Sequence, residues 1–476
     1  MKRLQRKRRR IAIVTFSEIR RDPRVRRIAG SFARAGDRVT VFTLKSECAV
    51  SRESLDGFEV VRVNTTRFWP PTICRKHFQK LCGPFFEQMR SQWPDIFLPL
   101  SFRKSLVRLN LQWAGDILTY LPALLPLAKR AYGALRSLKQ RLQASKACQD
   151  MEVTENSTNA YAGEVLETAL MLELNVALYE AVTSIAPELV YCNDLATLFV
   201  GAIAQRQMGS KLFYDAHEIY VHQWADGFRS CHWKNFYEFF ERELLKQTDA
   251  RFTVCEALSN YFASTYKAAP FHVTLNCPSI SMLPSPDVLD RVNRPRVILY
   301  QGIYVPHRGL EECLHAARYV DNARFVFRGI GIHESRLRAL AADLGLRGEV
   351  SFSKPVPIED MVSAASHCDI GLNPFIPVCK NTELCLPNKF FEYMMAGLCL
   401  ASSDLVEIAS LTRQLDIGVL FDSQRLDSIV ETLNELIAQQ DYIDDCRRRS
   451  YEAARMRYNW EEEERRFQAH VSDVLS

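Results

Sequence analysis

The sequence predicts an α/β protein made of two doubly wound, mostly parallel-sheet domains. Three observations carry this. Apolar runs of strand length alternate with helical periods in both halves of the chain. A Pro-, Ser- and Asp-containing stretch, Pro278–Pro295, separates the halves as an interdomain linker would. Finally, 476 residues exceed what one hydrophobic core usually serves.

The first domain is expected over residues 11–285. Its opening unit is a strand at Ile11–Phe16, a helix around Val25–Arg34 stopped by Gly36, and a strand at Val39–Thr43. The same unit returns at Leu189–Cys192, a helix ending near Gly209, and Leu212–Tyr214. Further strands are expected near Phe252–Val254 and His272–Leu275. Repeated βα units of this kind imply a parallel sheet with helices on both faces.

Between these parts, residues 66–165 or so lose the βαβ spacing and read as a helical insertion. Its apolar run Trp113–Ala128 contains Asp116, Pro122 and Pro126 and is too short to span a bilayer. Basic residues Arg103, Lys104, Arg108, Lys129, Arg130, Arg136, Lys139 and Arg141 flank it. The insertion therefore suits either a lid on the sheet or an amphipathic element lying on an anionic membrane surface.

The second domain, residues 286–455, is the more regular. Strands are expected at Val297–Gln301, Arg324–Arg328, Val350–Phe352, Ile370–Leu372 and Leu398–Ser402. Helices are expected from Gly309, at Ser335–Leu344, near Ile358–His367 and at Lys389–Ala396. In such sheets ligands sit beyond the carboxyl ends of the strands, so the loops after Gln301, Arg328, Leu372 and Ser402 are where a site belongs.

Charge and cysteine content narrow the partners. The formal net charge is +5, but Lys2, Arg3, Arg6, Lys7, Arg8, Arg9 and Arg10 place seven positive charges in residues 1–10. The remaining chain is net negative, which argues against a nucleic-acid surface and leaves a basic tail that is solvated or touches anionic lipid. The 14 cysteines are scattered without zinc spacing, so no metal is expected and reduced thiols fit a cytoplasmic chain. Ile11–Phe16 is too short for the apolar part of a signal peptide, so the sequons at Asn64 and Asn156 are expected to stay unmodified.

Two loops and one helix could carry chemistry. Gly302-Ile303-Tyr304-Val305-Pro306-His307-Arg308-Gly309 offers a glycine, where a ligand can approach backbone, and a guanidinium near a helix start, both suited to phosphate. Arg328-Gly329-Ile330-Gly331 resembles the opening of a dinucleotide fingerprint, but position 334 is Glu, which disfavours a hydride-transfer enzyme. In Leu386-Pro387-Asn388-Lys389-Phe390-Phe391-Glu392-Tyr393, Lys389 and Glu392 share a helix face. A carboxylate there can accept two ribose hydroxyls while the ammonium meets a phosphate. An isolated pair of this kind is usually a surface ion pair; its place beyond a strand's carboxyl end favours a site.

These segments, with Asp369-Ile370-Gly371-Leu372-Asn373-Pro374 and Asp22-Pro23-Arg24-Val25-Arg26-Arg27, resemble glycosyltransferases of the GT-B fold, family 4 or group 1 type. The likeness covers nearly all of the chain outside the insertion. It implies two Rossmann-like domains facing a central cleft, the N-terminal one binding the acceptor and the C-terminal one a nucleotide-diphosphate sugar. Tyr458-Asn459-Trp460-Glu461 resembles the turn before a closing helix, residues 456–476, that crosses back to the N-terminal domain.

By that resemblance Glu392 holds the ribose, Arg308 the phosphates, and His217 in Tyr214-Asp215-Ala216-His217-Glu218 faces the transferred sugar. Gly302, Arg328, Gly329 and Lys389 complete the donor site, with Asp215, Glu383 and Asn388 as further candidates. Three departures stand out. Glu383 lies nine residues before Glu392 where the family spaces its glutamates by eight. Ile303 occupies the place of the family's first phosphate-binding base, leaving Arg328 or Lys389 to substitute. The loop Ser17-Glu18-Ile19-Arg20-Arg21-Asp22 lacks the glycine pair found in many members.

The resemblance implies hexosyl transfer with retention, needing no metal or other cofactor, from a nucleotide sugar to a lipid-linked or polysaccharide acceptor. Peripheral placement on the cytoplasmic membrane face goes with that acceptor. A nucleotide-sugar epimerase of the same architecture and a non-catalytic nucleotide-sugar-binding subunit are the alternatives.

Overall fold

The computed structural model describes residues 8–44, 51–63, 171, 174–175, 177–223, 229, 231–290 and 295–476. The expected insertion at 66–165 and tail residues 1–7 lie outside the described residues. The chain divides into two compact units, residues 1–216 with 224–251 and residues 217–223 with 252–476.

The first sheet is built from β1 (Arg10–Val14), β2 (Arg38–Leu44), β3 (Arg52–Leu55), β4 (Phe58–Val63), β5 (Leu189–Asn193), β6 (Lys211–Ala216), β7 (Ala250–Thr253) and β8 (His272–Val273). Their order is β3-β4-β2-β1-β5-β6-β7-β8. β1 pairs in parallel with both β2 and β5, so strand order reverses at β1/β5. Ile11, Ala12, Ile13 and Val14 are wholly buried, as a central parallel strand covered on both faces requires.

The helix Pro23–Arg34 starts where the Asp22 carboxylate accepts from the Val25 N–H at 3.1 Å, with Pro23 in the first turn. An antiparallel pair, β3 with β4, was not anticipated. Its signal is Asp56-Gly57, a two-residue turn with both φ angles positive. The basic tail is also shorter than expected: Arg9 pairs with Asp37 at 2.7 Å, and Arg10 opens β1.

The second sheet contains β9 (Arg296–Gln301), β10 (Ala323–Arg328), β11 (Val350–Ser353), β12 (Ile370–Asn373), β13 (Cys399–Ser403) and β14 (Gly418–Phe421), ordered β11-β10-β9-β12-β13-β14. All five pairings are parallel. In chain order this is 3-2-1-4-5-6, the dinucleotide-domain arrangement, with its switch point between β9 and β12. Both sheets are Rossmann-like in this sense.

The compact division falls inside β7, between Arg251 and Phe252. The closing helix Trp460–Leu475, capped by Asn459, is the physical reason. Its Phe467 packs 5.1 Å from Phe252, His470 stacks on His272 at 4.2 Å, and Glu463 accepts from the Leu275 N–H at 2.8 Å. These contacts tie residues 252–275 to the second unit.

Candidate functional site

The second unit gathers a set of polar side chains at the carboxyl ends of β9 and β12, the switch point of its sheet. β9 ends at Gln301 and the chain turns through Gly302, whose φ of +146° suits glycine. A Cβ there would lie 3.0 Å from the Lys389 ammonium, so the missing side chain is what admits the lysine. The loop returns to Arg308 and Gly309. Gly309 has φ +70°, and a Cβ would lie 1.7 Å from the Pro374 carbonyl, so only glycine lets this loop press against the turn after β12.

Lys389 sits in the first turn of the helix Asn388–Met395. Its Nζ lies 3.7 Å above the Tyr300 ring and 5.3 Å from Phe375, and the Arg308 guanidinium lies 4.7 Å above that same Phe375 ring. Neither cation makes a hydrogen bond or salt bridge among the described residues. Two cations thus rest on aromatic faces with no anion beside them. Burial first, and then the charge of Arg308, hold the Lys389 ammonium well below the ordinary lysine range against the pull of Glu392. Solvent still reaches part of the Lys389 side chain, so the cations are open to a ligand.

Glu392, one turn further on, is half-buried and accepts from Gln301 Nε2 at 3.1 Å. The helix is fixed by Tyr393, whose hydroxyl accepts from the Gln301 N–H at 2.7 Å. Gln301 is buried, so its side chain must be bonded at both ends. Arg328 donates to Gln301 Oε1 at 3.0 Å and to the Ala364 carbonyl at 3.3 Å. The run Arg328–Gln301–Glu392 therefore orients the glutamate. Arg328 sits behind the site as a support, and it does not stand beside Lys389 as a second free cation.

Gly329 is likewise a packing position: a Cβ would lie 1.9 Å from the Gly302 carbonyl oxygen. Its loop is stitched to the Gly302 loop by Tyr304 N–H to Ile330 O at 2.9 Å. Asn388 opens the helix, and its side chain makes no hydrogen bond among the described residues. Glu383 lies on the short helix Lys380–Glu383, where it pairs with Lys380 at 2.8 Å with both side chains about two-fifths exposed. It is a surface ion pair by geometry.

Asp215 differs from its expected place near the chemistry. It is wholly buried in the first unit, bonded by Arg24 through Nε at 2.8 Å and Nη2 at 2.7 Å and by the Tyr191 hydroxyl at 2.7 Å. A carboxylate so saturated holds β5, β6 and the helix Pro23–Arg34 together. It has no reach to a ligand.

His217 follows β6 and is half-buried. Its segment, residues 217–223, belongs to the second unit. The Ile219 N–H donates to Asn381 Oδ1 at 2.8 Å, and Asn381 Nδ2 to Glu218 at 3.4 Å. The histidine's loop is thereby fastened to the helix bearing Glu383.

Sequence reasoning did not single out Gln301, Tyr300, Phe375 or Tyr393. Gln301 carried a signal, a polar residue at the buried end of an otherwise apolar strand. Among the described residues no three His, Cys, Asp or Glu gather as a metal site, and no helix is long and apolar enough to cross a membrane.

Residues 285–456 match the family model described as Glycosyl transferases group 1. No curated protein matches the chain. Among solved structures it is similar to sucrose-phosphate synthase from Thermosynechococcus elongatus, at 14% identity and TM-score 0.66 over 98% of this chain and 99% of that one. It is also similar to Anabaena HepE in complex with UDP and glucose, at 12% identity and TM-score 0.61 over 98% and 100%. A third is a glycosyltransferase from Rickettsia africae, at 9% identity and TM-score 0.58 over 99% and 100%. At such identities these likenesses establish the GT-B fold.

Proposed function

From the premise that residues 285–456 are a group 1 glycosyl transferase domain in a chain of GT-B fold, we propose that the protein transfers a hexose from a nucleotide-diphosphate sugar to a lipid-linked or polysaccharide acceptor. One observation carries the donor class. Arg308 and Lys389 lie on aromatic rings with no salt bridge among the described residues, and Lys389 stands one helical turn from a carboxylate that Gln301 orients.

An unpaired, desolvated cation is costly, and an arriving diphosphate relieves that cost twice over. Lys389, resting against Gly302, takes the role that Ile303 leaves vacant. Arg328 is already engaged. Glu392 then accepts from the ribose hydroxyls, and the two cations stabilise charge that grows on the departing nucleotide diphosphate. In this reading His217 faces the transferred sugar, retention follows the family's habit, and no metal is required because the side chains neutralise the leaving group.

The lipid-linked or polysaccharide acceptor, and peripheral contact with the cytoplasmic face of an anionic membrane, rest on the basic residues flanking Trp113–Ala128. The UDP and glucose bound by HepE make UDP-glucose the first donor to try.

The test is transfer itself. Purified protein with a panel of nucleotide sugars and membrane-extracted acceptors should release nucleotide diphosphate and label an acceptor. Absence of both transfer and donor hydrolysis across the panel would overturn the reading. Glu392→Ala should weaken nucleotide binding at least about tenfold, the equivalent of one lost charge-assisted hydrogen bond. Unchanged affinity by calorimetry removes Glu392 from the site.

A further inference from the structure

The lysines of this protein are partnered in different ways. Lys211, Lys246 and Lys380 each donate to a carboxylate, at 2.7, 2.6 and 2.8 Å. Lys389 makes no hydrogen bond or salt bridge among the described residues. Its Nζ instead lies 3.7 Å over Tyr300 and 5.3 Å from Phe375, and the Arg308 guanidinium rests on that same Phe375 ring at 4.7 Å. A Cβ on Gly302 would come 3.0 Å from the nitrogen, so backbone closes a further side.

Two effects act on an amine placed like this. Aromatic and backbone walls strip water from it, and a like charge shares its ring. Both disfavour the protonated form, burial more than Arg308, and they hold Lys389 well below the ordinary lysine range, although the Tyr300 face itself attracts a cation. A lysine desolvated beside another cation is a nucleophile, because more of it carries a free lone pair at neutral pH. Solvent reaches part of the side chain, so a small electrophile can meet the nitrogen. Arg308 beside it is suited to a phosphate. The electrophile that fits both groups carries a phosphate next to a reactive carbonyl.

We infer that Lys389 is a modification site: in the donor-free protein its Nζ takes an acyl group from a small acyl phosphate held by Arg308, and the acylated site no longer binds a nucleoside diphosphate. The Nζ lone pair attacks the acyl carbon and forms the C–N bond. The bond from that carbon to the phosphate oxygen breaks, and the phosphate leaves with the amine's proton as hydrogen phosphate. No electrons are gained or lost.

The product amide is uncharged, so one of the site's two cations is lost, and the acyl group stands beside Gly302 where a diphosphate approaches. A bound diphosphate acts the other way, since it pairs with Lys389, keeps it protonated and shields it. This regulatory consequence rests on the donor reading proposed above. The acylation itself rests on the geometry alone.

The experiment incubates full-length protein with acetyl phosphate, with and without UDP, digests it with trypsin, and measures UDP affinity by calorimetry before and after. Trypsin cuts after Lys389 but not after acetyl-lysine, so modification appears as peptide 381–413 in place of 381–389. Lys389 should be acetylated at least about tenfold faster than Lys246, whose side chain is 64% exposed, or the exposed Lys354. UDP should slow the reaction, and Arg308→Met should slow it several-fold. UDP affinity should fall at least about tenfold in the acetylated protein, the equivalent of one lost charge-assisted hydrogen bond. In Lys389→Arg, which keeps the charge and has no amine to acylate, the same treatment should leave UDP affinity unchanged. Acetylation of Lys389 no faster than that of Lys246 and Lys354 overturns the site. Acetylation with UDP affinity unchanged overturns its consequence for binding. If untreated protein does not bind UDP, the donor reading fails, and the ratio of acetylation rates still decides the site.

Discussion

Lys389 shows how a single side chain can be read from sequence and still be understood only in the fold. Its spacing from Glu392 marked the helix face, but its ammonium over Tyr300 and its distance from any carboxylate bond came from the tertiary structure. Because burial and Arg308 depress its pKa, an anion that pairs with it must raise that pKa and draw a proton from solution. Nucleotide-diphosphate affinity should therefore be strongest at low pH and fall as pH rises through the depressed value. Calorimetry in buffers of different ionisation enthalpy should show net proton uptake that disappears in Lys389→Met. Asp215 makes the opposite case. It was a candidate for chemistry, yet with Arg24 and Tyr191 on both oxygens it is structural. Asp215→Ala removes the bidentate carboxylate from the buried Arg24 guanidinium, which should destabilise the fold by about 3–5 kcal/mol in urea titration. Binding of nucleotide should be spared where the variant remains folded.

Elements bring such residues together, and two are open to direct test. The loop Gly302–Gly309 depends on Gly309, where a methyl group would overlap the Pro374 carbonyl in a left-handed conformation. Gly309→Ala should cost at least about 1–3 kcal/mol and reduce nucleotide binding together with stability. The closing helix Trp460–Leu475 rests its His470 ring on His272. Burial, then the charges of His470 and Arg466, push His272 down to about 4, and Asp473 is the one acid that pulls His470 the other way. Since the folded value lies below the usual 6.5, the unfolded chain takes the proton first. Stability is then whole above about pH 6.5 and declines as pH falls towards 4. Melting temperatures measured across that range should drop, and His272→Phe should flatten the slope. The β3–β4 hairpin was missed for a local reason, since Asp56-Gly57 is a strong turn signal set between short, partly exposed strands whose alternation is weak.

At the scale of the whole molecule, a ligand that binds only the folded chain must raise its apparent stability. On the donor class proposed above, UDP at about one hundred times its dissociation constant should add about 2.7 kcal/mol to unfolding, read as a thermal shift, and Glu392→Ala should abolish most of it. The sequence by itself determined the two parallel-sheet domains, because strand and helix periods are local properties that hydrophobic patterning writes directly into the chain. It also marked the loop at Gly302 and the helix at Asn388–Met395, because glycine, proline and paired charges act within a few residues. The tertiary structure alone decided that Arg328 supports Gln301 and that Asp215 is spent on Arg24. Each of these depends on partners between 27 and nearly 200 positions away in the chain, and which buried charge meets which is fixed by packing, a property that no local pattern encodes.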